Sequence, residues 1–225
     1  MGTLYIVATP IGNLGDITYR AVETLKNVDT IACEDTRHTL GLLNKYEIKK
    51  PLISYYAAEE EKGIARILSK LDKGESVAYV SDAGTPGLSD PGGALVRKVR
   101  EKEHDIIPIP GPSAFTTLVS IGGVSGKTIL FEGFLSPKKG KRKNRLIQLL
   151  EREESFVIYE SPFRAIKLLE ELKELAPERK IVLGRELTKK FEEILYGNAQ
   201  TIIDFLAIKG KIQGEFSILI CEKKI

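Results

Sequence analysis

At 225 residues and 42% hydrophobic content the chain has apolar material for one large core or two smaller ones, which excludes a scaffold that needs disulfide or metal staples. A net charge of +3 implies no nucleic-acid partner on its own, so any such argument rests on where the charges lie. No apolar stretch approaches the roughly 20 residues of a membrane helix. The start "MGTLYIVATPIGNL" lacks the basic flank and long apolar core of a signal peptide, and Cys33 and Cys221 each lie inside an apolar run; a cytoplasmic protein in a reducing compartment, without a metal centre, is expected.

Short β-branched runs then alternate with stretches of helical period. Strand "TLYIVAT" is followed by a helix over 16–28, "DTIACE" by a helix over 36–46, "PLISYY" by 59–73, "SVAYVS" by 91–102, and "DIIPIP" by 113–121. That order predicts a mainly parallel sheet covered by helices on both faces. The glycines of "SIGGVSGKT" (120–128) read as a linker, so the expected domains are 1–121 and 127–225, both α/β. Beyond the linker come strand "TILFEGFL", helix 142–152, strand "SFVIYE", helix 163–175, strands "KIVLGREL" and "EEILYG", helix 199–208 and strand "FSILICE". Two consecutive strands there predict a mixed sheet.

Parallel α/β sheets bind ligands beyond the carboxyl ends of their strands. Three unusual loops fall at that edge: "ATPIGNLGD" (8–16), "SDAGTPGLSDPG" (81–92) and "IPIPGPSA" (107–114). Gly84 and Gly87 allow positive φ and close approach of backbone to a ligand, while Pro86 and Pro91 reduce the entropy of holding the loop. Each loop alone is also explained as ordinary turn chemistry; together they point to a shared site. Ser113 reads as a helix cap or a site residue, Asp82 as a turn cap or a ligand acceptor, and Asp90 as the start of the helix at Pro91. The chain contains no G-x-G, which excludes the dinucleotide fingerprint, and "GGVSGKT" has the wrong spacing for a phosphate-binding loop.

Two charged stretches stand out. "CEDTRHT" puts Glu34, Asp35, Arg37 and His38 at the end of the second strand, either as a capped and solvated helix start or as a centre of chemistry. "SPKKGKRKNR" (136–145) holds Lys138, Lys139, Lys141, Arg142, Lys143 and Arg145 without an acid, either a solvated face or a loop that meets RNA phosphates.

The stretches "LYIVATPIGNLGDIT", "EDTRHT", "VSDAGTPGLSDPG", "PIPGPSA", "LFEGFLSPKKG", "YESPFR", "ELTKKFEE" and "GEF" resemble, in order and spacing, the ribosomal RNA small-subunit methyltransferase I family, whose fold is similar to that of the tetrapyrrole methylases. The resemblance implies two α/β domains with S-adenosylmethionine in the cleft between them, and methyl transfer to the ribose 2′-oxygen of a cytidine in the decoding region of 16S ribosomal RNA. It implies cofactor contacts from Pro10, Asp82, Ala83, Gly84, Thr85, Ser113 and Ala114, and from Tyr159 and Leu187 further along. "EDTRHT" would lie near the acceptor: Asp35 to orient or deprotonate the 2′-hydroxyl, Arg37 to hold a phosphate, Glu34 to fix the loop and His38 as the substitute base. The implied partner is 16S RNA or the small ribosomal subunit, with no membrane, and a homodimer is the default assembly. Phe163 replaces the His of many relatives' "YESPHR", "YAAEE" (56–60) replaces a His/Asn-rich stretch, and the chain stops at Ile225 without the extra segment of longer members. The rivals are methylation of a tetrapyrrole or other small molecule and a non-catalytic RNA-binding module.

Overall fold

The computed structural model describes residues 1–56, 59–208 and 213–223; Ala57 and Ala58, within the "YAAEE" departure, lie outside them. The chain groups into two units, Met1–Ser113 and Ala114–Ile225. This boundary falls one helix earlier than the glycine-rich linker, because the helix Ala114–Ser120 packs on strands of the second unit.

In the first unit, strands β1 (Thr3–Val7), β2 (Thr30–Cys33), β3 (Leu52–Ser54), β4 (Ser76–Val80) and β5 (Asp105–Ile109) alternate with helices α1 (Tyr19–Asn27), α2 (Thr36–Lys45), α3 (Glu60–Leu71) and α4 (Gly93–Glu101). They form one parallel sheet in the order β3-β2-β4-β1-β5. Every residue of β2 is buried, as a strand covered on both faces requires. The α3 face Gly63, Ile64, Ile67 and Leu71 recurs at helical spacing and packs with Leu4, Val77 and Tyr79 on one side of the sheet. Ala21, Leu25 and Leu43 from α1 and α2 join Val7, Ile31 and Ala78 in a separate core cluster.

The second unit contains α5 (Ala114–Ser120), β6 (Ile129–Phe134), α6 (Lys139–Glu151), β7 (Ser155–Glu160), α7 (Pro162–Leu175), β8 (Ile181–Arg185), β9 (Glu193–Gly197), α8 (Ala199–Ile208) and β10 (Phe216–Ile220). The sheet order is β6-β7-β10-β8-β9, with only β6 and β7 paired in parallel, which is the mixed sheet expected from consecutive β8 and β9. Several boundaries differ from the sequence reading, α1 starting at Tyr19 and not at 16 among them, and two bear on the candidate site residues. Helix α6 begins at Lys139 and not at 142, so most of the basic run is helical. Helix α4 begins at Gly93 with Gly92 as its cap, so Asp90 does not start it.

Candidate active site

Because the first sheet is wholly parallel, the chain leaves β1, β4 and β5 on one edge and enters the three loops there. Main-chain bonds join them. Thr9 N–H donates to the Gly84 carbonyl at 2.8 Å, and Gly84 N–H donates to the Thr9 carbonyl at 3.1 Å. The Thr9 hydroxyl donates to the Ser81 carbonyl at 3.3 Å, and the Thr85 hydroxyl donates to the Pro112 carbonyl of the third loop at 3.1 Å. Gly84 takes φ 80°, and a Cβ there would stand 3.3 Å from Ile11 Cγ2; glycine lets the first two loops close on each other. Gly87, at φ 82°, faces open space on the same loop. A group bound at this edge meets backbone more than side chain.

Pro10, Asp82, Ala83, Gly84, Thr85 and Ser113 all belong to these joined loops, with Pro10 and Ser113 buried and Ala83 exposed. Ala114 opens α5, and Tyr159 and Leu187 stand in the second unit at the carboxyl ends of β7 and β8. The Tyr159 ring packs edge-on against Phe131 and Phe134, at centroid distances of 5.0 and 5.8 Å. Gly184 seats Leu187, since a Cβ there would lie 2.7 Å from Leu187 Cδ2. A cavity of about 860 Å³ in the second unit, lined by Gly122, Arg179, Val182 and Tyr196 among others, opens at the opposite end of β8 from Leu187 and holds none of these residues.

The carboxylates on this edge differ sharply. Asp35 caps α2: its Oδ1 accepts from Arg37 N–H at 2.8 Å, and its two oxygens take the Arg37 guanidinium at 3.3 and 3.0 Å. The Arg37 side chain, then its backbone N–H, hold the Asp35 carboxyl below its ordinary range, so it is a poor proton acceptor. Its own N–H donates to Asp82 Oδ1 at 3.1 Å, which ties the end of β2 to the end of β4. Glu34 is half-buried, and burial followed by the charge of Asp82 raises its pKa. Asp90 is pushed up to about 6, chiefly by burial; a hydrogen bond from Ser81 opposes the shift and the charges of Glu34 and Asp82 add to it. The sequence reading missed Asp90 by assigning it to a helix start, although its place in the loop of Asp82 was a signal. His38 and Arg37 are exposed at the start of α2.

The basic run divides in two. Arg142 does not face solvent: its guanidinium is buried and paired with buried Glu171 through two bonds, Nε to Oε2 at 2.9 Å and Nη2 to Oε1 at 2.7 Å. Its assignment to an RNA surface is corrected, because a desolvated and neutralised cation has no charge to offer a phosphate. Arg145 is held by both oxygens of Glu132 at 2.7 Å, and Lys143 meets Glu174 at 3.3 Å. Lys138, Lys139 and Lys141 are exposed.

A family model described as Tetrapyrrole (Corrin/Porphyrin) Methylases matches residues 3–203, which sets the class. Solved structures share the fold. Cobalt precorrin-4 methyltransferase, a cobalamin biosynthetic enzyme, superposes with TM-score 0.74 at 16% identity, covering 97% of this chain and 94% of that one. Uroporphyrin-III C-methyltransferase from Thermus thermophilus, complexed with S-adenosylhomocysteine, gives 0.66 at 17% identity over 97% of both. Sequence relatives narrow the class. The protein called Ribosomal RNA small subunit methyltransferase I in Borrelia garinii subsp. bavariensis is 49% identical over 96% of this chain and 97% of its own length, and that of Thermotoga maritima is 43% identical over 100% of both. The chain belongs to the ribosomal RNA small subunit methyltransferase I family.

Proposed function

We propose that the chain transfers a methyl group from S-adenosylmethionine to the ribose 2′-oxygen of a cytidine in the decoding region of 16S ribosomal RNA. The observation that carries this reading is the edge at which three loops are joined by main-chain bonds beside Glu34, Asp82 and Asp90. That edge fits the cofactor: the open backbone around Gly84 and Gly87 accommodates a bulky group, and carboxylate oxygens suit ammonium, hydroxyl and sulfonium groups. When bound, the cofactor supplies a methyl made electrophilic by its sulfonium. Pro10, Asp82, Ala83, Gly84, Thr85 and Ser113 would hold it, and Ala114, Tyr159 and Leu187 are the further contacts that the family resemblance implies.

The protein's tasks are alignment and removal of one proton. Asp35 fixes Arg37 for a phosphate neighbouring the target ribose. Asp90, which feels the charge of Glu34, would take the 2′-hydroxyl proton, while the cofactor would supply the methyl that this oxygen receives. His38 stays the substitute base. Cytoplasmic location, action on the small ribosomal subunit and a homodimeric assembly complete the reading. No helix among the described residues is long and apolar enough to cross a membrane.

Saturation with S-adenosylmethionine at 100 times its dissociation constant is expected to stabilise the fold by about 2.7 kcal/mol without added metal, read as a raised melting temperature. An unmoved melting curve refutes the methyltransferase reading, the tetrapyrrole alternative included. Labelled methyl on small subunits that lack the modification, mapped to one 2′-oxygen, separates RNA from a small-molecule acceptor and from a non-catalytic RNA-binding module. Replacing Lys138, Lys139 and Lys141 by Ala is expected to weaken RNA binding and to reduce the slope of log affinity against log salt by about 0.7 per lost contact. Cofactor affinity should not change, and a wild-type slope would make these lysines a solvated face.

A further inference from the structure

The second unit carries an edge that its own fold leaves uncovered. Strands β6, β7 and β8 run in one direction, so the segments that follow them emerge on one side of the sheet. Three phenylalanines project there: Phe134 closing β6 is 59% exposed, Phe163 in the first turn of α7 is 88% exposed, and Phe191 between β8 and β9 is 68% exposed. Single exposed apolar residues are ordinary, but three bulky rings along one edge form a surface with a use.

The backbone beneath the rings is well anchored. Phe134 packs on Tyr159, and Tyr159 packs on Phe131. Phe163 sits between Pro162, the first residue of α7, and Arg164, whose guanidinium donates to the Leu135 carbonyl at 2.6 Å and pairs with Glu160 at 2.9 Å. Lys190 Nζ stands 5.6 Å from the Phe191 centroid.

Charge distinguishes the occupant. Acids along the edge are engaged within the fold: Glu160 by Arg164, Glu193 by Arg185, and both Glu186 and Glu215 by Lys189. Lys138, Lys139, Lys141 and Lys190 have no carboxylate partner among the described residues. A protein–protein interface is depleted of lysine at its core, whereas sites for single-stranded nucleic acid combine aromatic faces with unpaired cations.

We propose that this edge binds an unpaired segment of the substrate RNA, with Phe134, Phe163 and Phe191 as stacking faces for successive bases and Lys138, Lys139, Lys141 and Lys190 as phosphate contacts. The inference rests on the RNA-methyltransferase reading above. It adds a reason for the target strand to be held open, since stacked bases leave their sugars accessible.

The test uses the full chain, a single-stranded RNA oligonucleotide of the target sequence carrying 2-aminopurine, and small subunits that lack the modification. Wild type is expected to bind the oligonucleotide with a change in 2-aminopurine fluorescence. Phe134→Ala, Phe163→Ala and Phe191→Ala should each weaken binding about 5- to 150-fold, the range of one base–aromatic stack, and raise KM for the small subunit by a similar factor. Phe→Tyr at the same positions should restore binding, while S-adenosylhomocysteine affinity and melting temperature stay at wild-type values in the Phe163 and Phe191 variants, whose rings do not pack on Tyr159. If wild type methylates small subunits and all three alanine variants match it in RNA affinity and KM, the stacking edge is refuted and the RNA reading stands. Alanine variants that lose self-association in sedimentation while keeping RNA affinity refute it in favour of a contact between copies. A wild type that binds no RNA and methylates no small subunit overturns both.

Discussion

Replacing Glu171 by Ala is expected to destabilise the second unit by about 3–5 kcal/mol, among the largest effects of any single substitution away from the candidate active site. The Arg142–Glu171 pair joins α6 to α7 with both side chains under one-tenth exposed, so removing the acid leaves a guanidinium buried without a counter-charge. The double variant Arg142→Met with Glu171→Leu should recover most of the loss, because an apolar pair of similar volume avoids desolvating two ions. Urea unfolding of the three proteins gives the numbers. A Glu171→Ala variant within about 1 kcal/mol of wild type would show that water reaches the pair. Arg142→Met alone should lower stability without altering the salt slope of RNA binding, in contrast to the three exposed lysines.

Asp90→Asn is expected to slow methyl transfer by about 10² to 10⁴, the usual worth of general-base assistance. With Asp90 titrating near 6, wild-type kcat/KM should rise as pH passes through that value and level off above it, and the variant should lack this rise. Stability should move the opposite way. The folded-state pKa lies above the ordinary carboxylate value, so between about pH 4 and 6 the folded chain holds a proton that the unfolded chain has released. Stability from this group is therefore greatest at low pH and declines as pH rises through 6. Asparagine has no proton to lose, so the melting temperature of Asp90→Asn relative to wild type should increase from pH 4 to pH 7. Single-turnover rates with both substrates saturating supply the first measurement and thermal melts across pH the second. A variant as fast as wild type at pH 7 would remove Asp90 from proton transfer, and Glu34→Gln would then be the next variant to assay.

Much of this architecture is legible in the residue order. Apolar β-branched runs such as those of β2 and β4 are short and bounded by turn residues, and strands of that kind alternating with helical periods have few arrangements other than a parallel sheet. The loops at its carboxyl edge follow directly, as do the mixed sheet after 127 and the family. These features depend on neighbours within a few residues or on a pattern repeated along the chain.

The features that remained hidden depend on partners far away in sequence. Arg142 looks like one more exposed cation until Glu171, 29 residues on, is packed against it; hydrophobic periodicity does not register a helix face whose buried member is charged, so the start of α6 was hidden with it. Asp35 and Asp90 are the same residue type in two short polar stretches. One is stabilised in its ionised form by Arg37 two residues away, and the other is desolvated beside Ser81 and Asp82 of its own loop and near Glu34, which only the packing of β2 beside β4 brings close. Whether a charge is solvated, paired or buried is a property of its surroundings in three dimensions, and a one-dimensional pattern does not carry it.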